Sequence, residues 1–166
     1  MPIVAHPQLP SLSKLKTEDL MVADDAPSLA KNFNQELHIG LLNLMPDAAL
    51  QATERQFIRL LGSDPSILVH VYPTTVGSSE RGEEFQDYIT KNYNEISTIY
   101  ASKLDGLIIS GTNPSKPDMT DEPFWTPLVE VMDWAMENTN SILCSCLATH
   151  APVSYTHLTL PTTPYV

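Results

Sequence analysis

The sequence predicts an α/β fold built on a mainly parallel sheet, and three observations carry that expectation. Short runs at 37–44, 66–72, 104–111 and 141–145 are apolar nearly throughout, as strands covered on both faces are. Stretches with helical spacing of apolar residues lie between them, so strand and helix alternate and right-handed crossovers follow. At 166 residues and 42% hydrophobic composition, the chain fits one domain with a core of its own.

Residues 1–36 read as an N-terminal arm. Pro2, Pro7, Pro10 and Pro27 interrupt it, and a short helix is expected through 17–20. It is expected to lie over the domain or over a subunit partner. The domain starts at residue 37 with the first buried strand, which Met45-Pro46-Asp47 ends. Pro46 cannot donate a ladder hydrogen bond, and Asp47 is placed to cap the next helix. That helix, 48–61, should turn Leu50, Phe57, Leu60 and Leu61 inward, with Gly62 closing it. The second strand is expected to stop at Pro73. Helices are expected over 83–93 and 94–102, followed by the strand Leu104-Asp105-Gly106-Leu107-Ile108-Ile109-Ser110-Gly111.

After that strand, Thr112-Asn113-Pro114-Ser115-Lys116-Pro117-Asp118 forms a polar loop at the sheet's carboxyl edge, where open α/β sheets bind ligands. Thr120 or Asp121 should cap the next helix, with Pro123 in its first turn and Phe124, Leu128, Val131, Met132, Ala135 and Met136 as its buried stripe. The aromatics Phe124, Trp125 and Trp134 read as core. Glu80 to Glu84 reads as an exposed acidic patch.

Nine basic against 20 acidic residues leave a net charge of −11, which repels phosphate backbones and anionic lipid. Neither nucleic acid nor membrane is expected as a partner. No apolar run approaches the ~20 residues of a membrane span, and Met1-Pro2-Ile3-Val4 is no start for a signal peptide. Two cysteines spaced C-x-C give no disulfide framework, so a reducing cytoplasm is the simplest location.

The chemistry concentrates at Ser141-Ile142-Leu143-Cys144-Ser145-Cys146-Leu147-Ala148-Thr149-His150. A short buried strand leads to Cys146, and the residues after it read as the first turns of a helix. A cysteine at such a corner has its sulfur raised above the sheet edge, near the positive end of a helix dipole, a place that suits an anion. That is the arrangement of a nucleophile elbow, with Cys where hydrolases place Ser. Cys144 reads as core. His150, four residues after Cys146, shares its helix face, but two ligands do not make a metal site and no metal centre is expected. His38 and His70, in strands, read as satisfied core or edge histidines.

The last segment, 154–166, holds four Thr and no Asp, Glu, Lys or Arg, and Pro152 stops the elbow helix early. It reads as a non-native tail joined to an interrupted domain, with a genuine extended tail as the alternative.

Three stretches together resemble the homoserine O-succinyltransferase family. They are Leu41-Leu42-Asn43-Leu44-Met45-Pro46 with Glu54-Arg55-Gln56-Phe57-Ile58-Arg59-Leu60-Leu61, then Leu104 to Gly111, then Cys146-Leu147-Ala148. The resemblance runs from about residue 36 to 153, the N-terminal half of a family member. It implies a class I glutamine amidotransferase-like fold, a three-layer sandwich of flavodoxin type, here truncated, with 37–153 an incomplete domain. It also implies acyl transfer from succinyl-CoA or acetyl-CoA to the hydroxyl of L-homoserine in methionine biosynthesis, with no other cofactor, and a homodimer.

Carried over, Cys146 is the acylated nucleophile and the Leu147 N–H an oxyanion donor. Glu54 falls in a stretch near the family's active site, although an exposed helix face is an equal reading. Thr112, Asn113 and Ser115 occupy the loop that tunes acyl choice. Two departures stand out. Asp47 replaces the Lys that many members carry, and a carboxylate cannot stabilise an oxyanion. The loop departs from the commoner Gly-Ala-Pro form, leaving succinyl against acetyl open. The family's catalytic His and Glu lie downstream of this chain, and losing such a base costs roughly 10²–10⁴-fold, so the fragment is expected not to turn over. The rivals are an amidotransferase-like glutamine hydrolase using the same Cys, and a non-catalytic fold fragment.

Overall fold

Strands β1 (Ile3–Ala5), β2 (Gln35–Leu42), β3 (Ile67–Thr74), β4 (Gly106–Ile109) and β5 (Ser141–Cys144) form one sheet in the order β1-β3-β2-β4-β5. Every pairing is parallel. This is a computed structural model that describes residues 3–5, 9–16, 33, 35–64, 66–77 and 81–153, the side chain of Leu147 excepted. The helices are α1 (Pro10–Lys16), α2 (Asp47–Leu61), α3 (Glu83–Asn92), α4 (Ile96–Ala101) and α5 (Trp125–Asn138).

Alternation along the strands divides the core in two. Leu41, Val69, Val71 and Ile108 face one way and pack with Leu12 and Leu15 of α1, Leu50 and Ile58 of α2, and Tyr93. Leu42, Leu107 and Ile109 face the other way, onto Leu128, Val131, Met132 and Ala135 of α5. The result is the expected three-layer α/β sandwich. The segment 17–20, where a helix is expected, lies outside the described residues, as does 154–166.

Several expectations are corrected. The arm is partly sheet and core: β1 pairs with β3, and Leu9, Leu12 and Leu15 are buried. Pro73 does not end β3 but lies inside it, opposite Leu41. Its carbonyl accepts from the Asn94 N–H at 2.8 Å, on the side β1 has already left, so its missing donor costs no ladder bond. Asp47 is the first residue of α2 rather than its cap; Pro46 occupies the cap position. The start of α5 is at Trp125, after Pro123, while Asp118 caps a separate one-turn helix, Met119–Asp121. Leu60 and Met136, expected inside, are 66% and 57% exposed.

Leu60 is displaced by an unexpected occupant. Leu50, Glu54 and Ile58, spaced four apart, form the buried line of α2, which turns Leu60 roughly 120° away from Glu54. Glu54 is fully buried, so the exposed-face reading of this residue is corrected. Its carboxylate accepts from the Ser11 hydroxyl of α1 and from the Tyr88 hydroxyl of α3, 3.2 Å from both oxygens. Burial raises the Glu54 pKa above the ordinary carboxylate value, against the lowering effect of those hydroxyls. Burial, followed by the nearby Glu54 charge, raises Tyr88 and Tyr93 in turn.

Candidate active site

The corner after β5 is where the backbone departs from ordinary geometry. Ser145 still donates to Ile109 O at 2.9 Å, keeping the chain on the sheet for one more residue. Cys146 then takes φ +59°, the one positive-φ non-glycine among the described residues. The left-handed region costs an L-residue about 1–2 kcal/mol, and such strain gathers where a side chain must be presented. Cys146 is exposed and Cys144 is partly buried; both are free thiols. Burial pushes the Cys144 thiol up.

The chain does not enter an α-helix directly, as the sequence implied. Cys146–Thr149 is a tight 3-10 turn, and α-helical backbone follows over 150–153. The Thr149 hydroxyl donates to Cys146 O at 2.6 Å and closes the turn on the corner. Ala148 and Ala151 are buried against the α5 side of the core, which anchors the turn from below. The Leu147 N–H stands at the first turn, where a helix leaves donors without an internal partner.

Cys146 has room because Gly111 faces it. A Cβ built at Gly111 would lie 2.9 Å from Cys146 Cβ and 3.3 Å from its Sγ, with Met45 Sδ at 3.6 Å. The ends of β2, β4 and β5 therefore meet around one thiol. Asn43 and Ser110, both fully buried, hold them there. Asn43 Nδ2 donates to Leu50 O (3.0 Å) and to the Tyr93 hydroxyl (2.9 Å), while its Oδ1 accepts from Met45 N at 3.3 Å. The Ser110 hydroxyl accepts from Leu44 N at 2.8 Å and reaches Asn43 Oδ1 (3.3 Å) and Gly111 O (3.0 Å). This network explains the Asn in Asn43-Leu44-Met45-Pro46 physically: it ties two strand ends and a helix together.

Asp47 accepts from Arg81 Nη1 at 3.0 Å and from Gly82 N at 2.9 Å, and Arg81 also donates to Met45 O at 3.2 Å. The Asp47 carboxylate thus has a cation of its own beside it. The loop after β4 is held by Glu122, which accepts from the Ser115 and Lys116 backbone N–H groups, the latter at 2.6 Å, with the Ser115 hydroxyl 3.3 Å away. The Lys116 N–H leads the contacts that keep the Glu122 carboxyl below its usual range.

Of the residues singled out from sequence, Cys146, Leu147 and the loop carrying Thr112, Asn113 and Ser115 share the carboxyl edge of the sheet. Thr112 is partly exposed, and Asn113 and Ser115 are exposed. Glu54 is apart from them, enclosed between α1, α2 and α3. His150 is exposed on the turn's continuation. A cleft of about 300 Å³ opens beyond β3 between Thr75, Gly77, Tyr93, Asn94 and Pro127, and Cys146 is not among its lining residues. Sequence reasoning missed Arg81, 34 positions from its partner Asp47, and Glu122, which no local pattern links to Ser115. Ser110 was legible as a strand residue but not as a junction.

A family model described as homoserine O-succinyltransferase matches residues 2–161. Among curated relatives, a homoserine O-succinyltransferase of Methylococcus capsulatus is 47% identical over 160 residues, 95% of this chain and 44% of that protein. Those of Allochromatium vinosum (49%; 93% of this chain, 43% of that protein) and Methylobacter tundripaludum (51%; 93% and 44%) are similar to the same extent. The chain therefore spans less than half the length of these relatives.

Proposed function

The chain belongs to the homoserine O-succinyltransferase family, and from that premise we propose that Cys146 is the acyl-carrying nucleophile of a homoserine O-acyltransferase. The Cys146 sulfur attacks the carbonyl carbon of an acyl-CoA thioester. The tetrahedral oxyanion is met by the Leu147 N–H, and the C–S bond to coenzyme A breaks as its thiol leaves with a proton. The homoserine hydroxyl then attacks the new thioester on Cys146, giving the O-acyl ester and returning the free thiol. A general base must carry the proton in each half. The family resemblance assigns that work to a His and a Glu beyond the length spanned by this chain.

The observation that carries the reading is the positive φ of exposed Cys146 at the carboxyl edge, with Gly111 clearing space above its sulfur. Thr112, Asn113 and Ser115, on the adjoining loop, are the groups we assign to the acyl chain, succinyl by the family's name. Asp47, neutralised by Arg81, leaves the oxyanion to backbone donors. On this reading the enzyme acts in the cytoplasm with acyl-CoA as co-substrate and no other cofactor. No described helix is long and apolar enough to cross a membrane.

The test is intact-mass spectrometry of the full reading frame that carries residues 1–153, incubated with succinyl-CoA or acetyl-CoA. One acyl mass on Cys146, absent from Cys146→Ala, supports the proposal. Labelling that survives Cys146→Ala, or modification by glutamine alone, overturns it.

A further inference from the structure

The buried Glu54 and the junction that frames Cys146 belong to one hydrogen-bonded network, and Tyr93, at the end of α3, joins them. Asn43 Nδ2 donates to the Tyr93 hydroxyl at 2.9 Å. That hydroxyl therefore needs an acceptor for its own proton, and the Glu54 carboxylate, hydrogen-bonded to it, is that acceptor. Glu54 accepts as well from the Ser11 hydroxyl of α1 and from Tyr88, which is 3.2 Å from both carboxylate oxygens. On its other side Asn43 continues the network through Oδ1, which accepts from Met45 N and from the Ser110 hydroxyl, both at 3.3 Å. Ser110 precedes Gly111, the residue that lies against the Cys146 thiol with Met45 beside it.

Ionised Glu54 gives the protons of this network one consistent arrangement. A carboxylate only accepts, so Ser11, Tyr88 and Tyr93 all direct their protons to it. Tyr93 then turns a lone pair to Asn43. That fixes the amide with its nitrogen toward Tyr93 and Leu50 O and its oxygen toward Met45 N and Ser110. Neutral Glu54 carries an O–H that must donate to one of the same hydroxyls, and the proton it displaces has to turn elsewhere. The titratable groups facing Glu54 from α3 and its end are Tyr88 and Tyr93, and the charge acting on it is Arg55 of its own helix. Besides Ser11, α1 and the sheet bring apolar side chains to this core, among them Leu12, Leu15 and Leu41. Holding a carboxylate out of water costs stability, and such costs are tolerated where they serve a site.

We propose that Glu54 is a positioning residue for Cys146: in its ionised form it orients Tyr93 and Asn43, and through them the strand ends that frame the thiol. The inference rests on the reading of Cys146 as the acylated nucleophile.

The experiment follows the rate of Cys146 labelling by succinyl-CoA or acetyl-CoA in the full reading frame, by intact-mass spectrometry from about pH 5 to 9. It compares the parent with Glu54→Gln, Tyr93→Phe, their double variant and Ser11→Ala. A reacting atom displaced by about 1 Å costs on the order of 10²-fold, and at about pH 8 Glu54→Gln should be labelled roughly tenfold more slowly than the parent. The advantage of the parent should fade as pH drops through the raised Glu54 value, while its melting temperature gains on that of Glu54→Gln. Rate and stability then move in opposite directions, whereas a merely structural carboxylate would move them together. Ser11→Ala removes a hydrogen bond that lowers the Glu54 value, so the midpoint of the fading should shift to higher pH. The double variant should be no slower than Tyr93→Phe alone. A parent advantage that does not change with pH, or single effects that multiply in the double variant, overturns the inference and leaves the acyl-transfer reading standing. A parent that takes no acyl group from either donor overturns both. Should Tyr93→Phe not fold, Ser11→Ala decides, an unmoved midpoint overturning the inference.

Discussion

Gly111 lies against Cys146 so closely that a methyl group on its Cα would stand 2.9 Å from Cys146 Cβ. Neither neighbour can yield cheaply: Gly111 follows the end of β4, held through Ser110, and Cys146 is locked in its corner. Gly111→Ala should therefore displace the thiol, with a stability loss of about 1–3 kcal/mol from overpacking. A shift near 1 Å at a reacting atom costs on the order of 10²-fold in rate. Urea denaturation reads the first effect, and acyl labelling of Cys146 in the full reading frame reads the second. A Gly111→Ala protein with parental labelling kinetics would show that the contact does not set the thiol's position.

The strain at Cys146 is separable from its chemistry. Glycine takes φ +59° freely, while alanine there carries the same penalty as cysteine. Cys146→Gly should exceed Cys146→Ala in stability by about 1 kcal/mol, and neither should be labelled. Equal denaturation midpoints for the two variants would contradict a left-handed corner.

Glu54 makes a prediction in pH. Its folded pKa is raised, so its contribution to stability is fully present below the unfolded value near 4.5 and is lost as pH climbs through the raised folded value. Glu54→Gln has no such dependence and keeps an oxygen for the Ser11 and Tyr88 hydroxyls. The melting temperature of the parent should fall relative to Glu54→Gln as pH rises from 4 to 8. A gap that stays constant across that range rules out the buried carboxyl as its source.

The pair formed by Asp47 and Arg81 is partly enclosed, with side chains 26% and 7% exposed. Asp47→Ala would leave a nearly buried guanidinium without its carboxylate, costing about 1–3 kcal/mol. Asp47→Lys should cost more, because it sets two cations together. Adding Arg81→Met to Asp47→Ala should recover part of the loss in the same denaturation assay. If Asp47→Lys is tolerated as well as Asp47→Ala, the pairing is not what holds this turn.

Much of the architecture was legible because it depends on local pattern. Four strands, the boundaries of α3 and the apolar stripe of α5 apart from Met136 follow from periodicity and punctuation, but β5, expected to be covered on both faces, is an edge strand without a buried residue, and its Leu143 is 54% exposed. The corner at Cys146 was legible as a break after a short strand, and the structure places it there with a positive φ. The misreadings have a common form. Leu60 was placed inside because apolar residues are usually buried, and nothing local reveals that Glu54 takes the inner line with hydroxyls from α1 and α3 as partners. Asp47 read as a cap because its actual partner, Arg81, arrives from another segment.

Sequence by itself determined the element order, the two-sided sheet and the cysteine at the end of β5, because each is written in residues that are neighbours along the chain. Only the tertiary structure decided what those elements bring together. The parallel register sets His38 beside His70, strand ends converge to place Gly111 over Cys146, and α1 supplies the hydroxyl that makes a buried Glu54 tolerable. Each depends on contacts between residues at least 32 positions apart. Such contacts form only once burial has paid the entropy of closing long loops, and no local pattern encodes them.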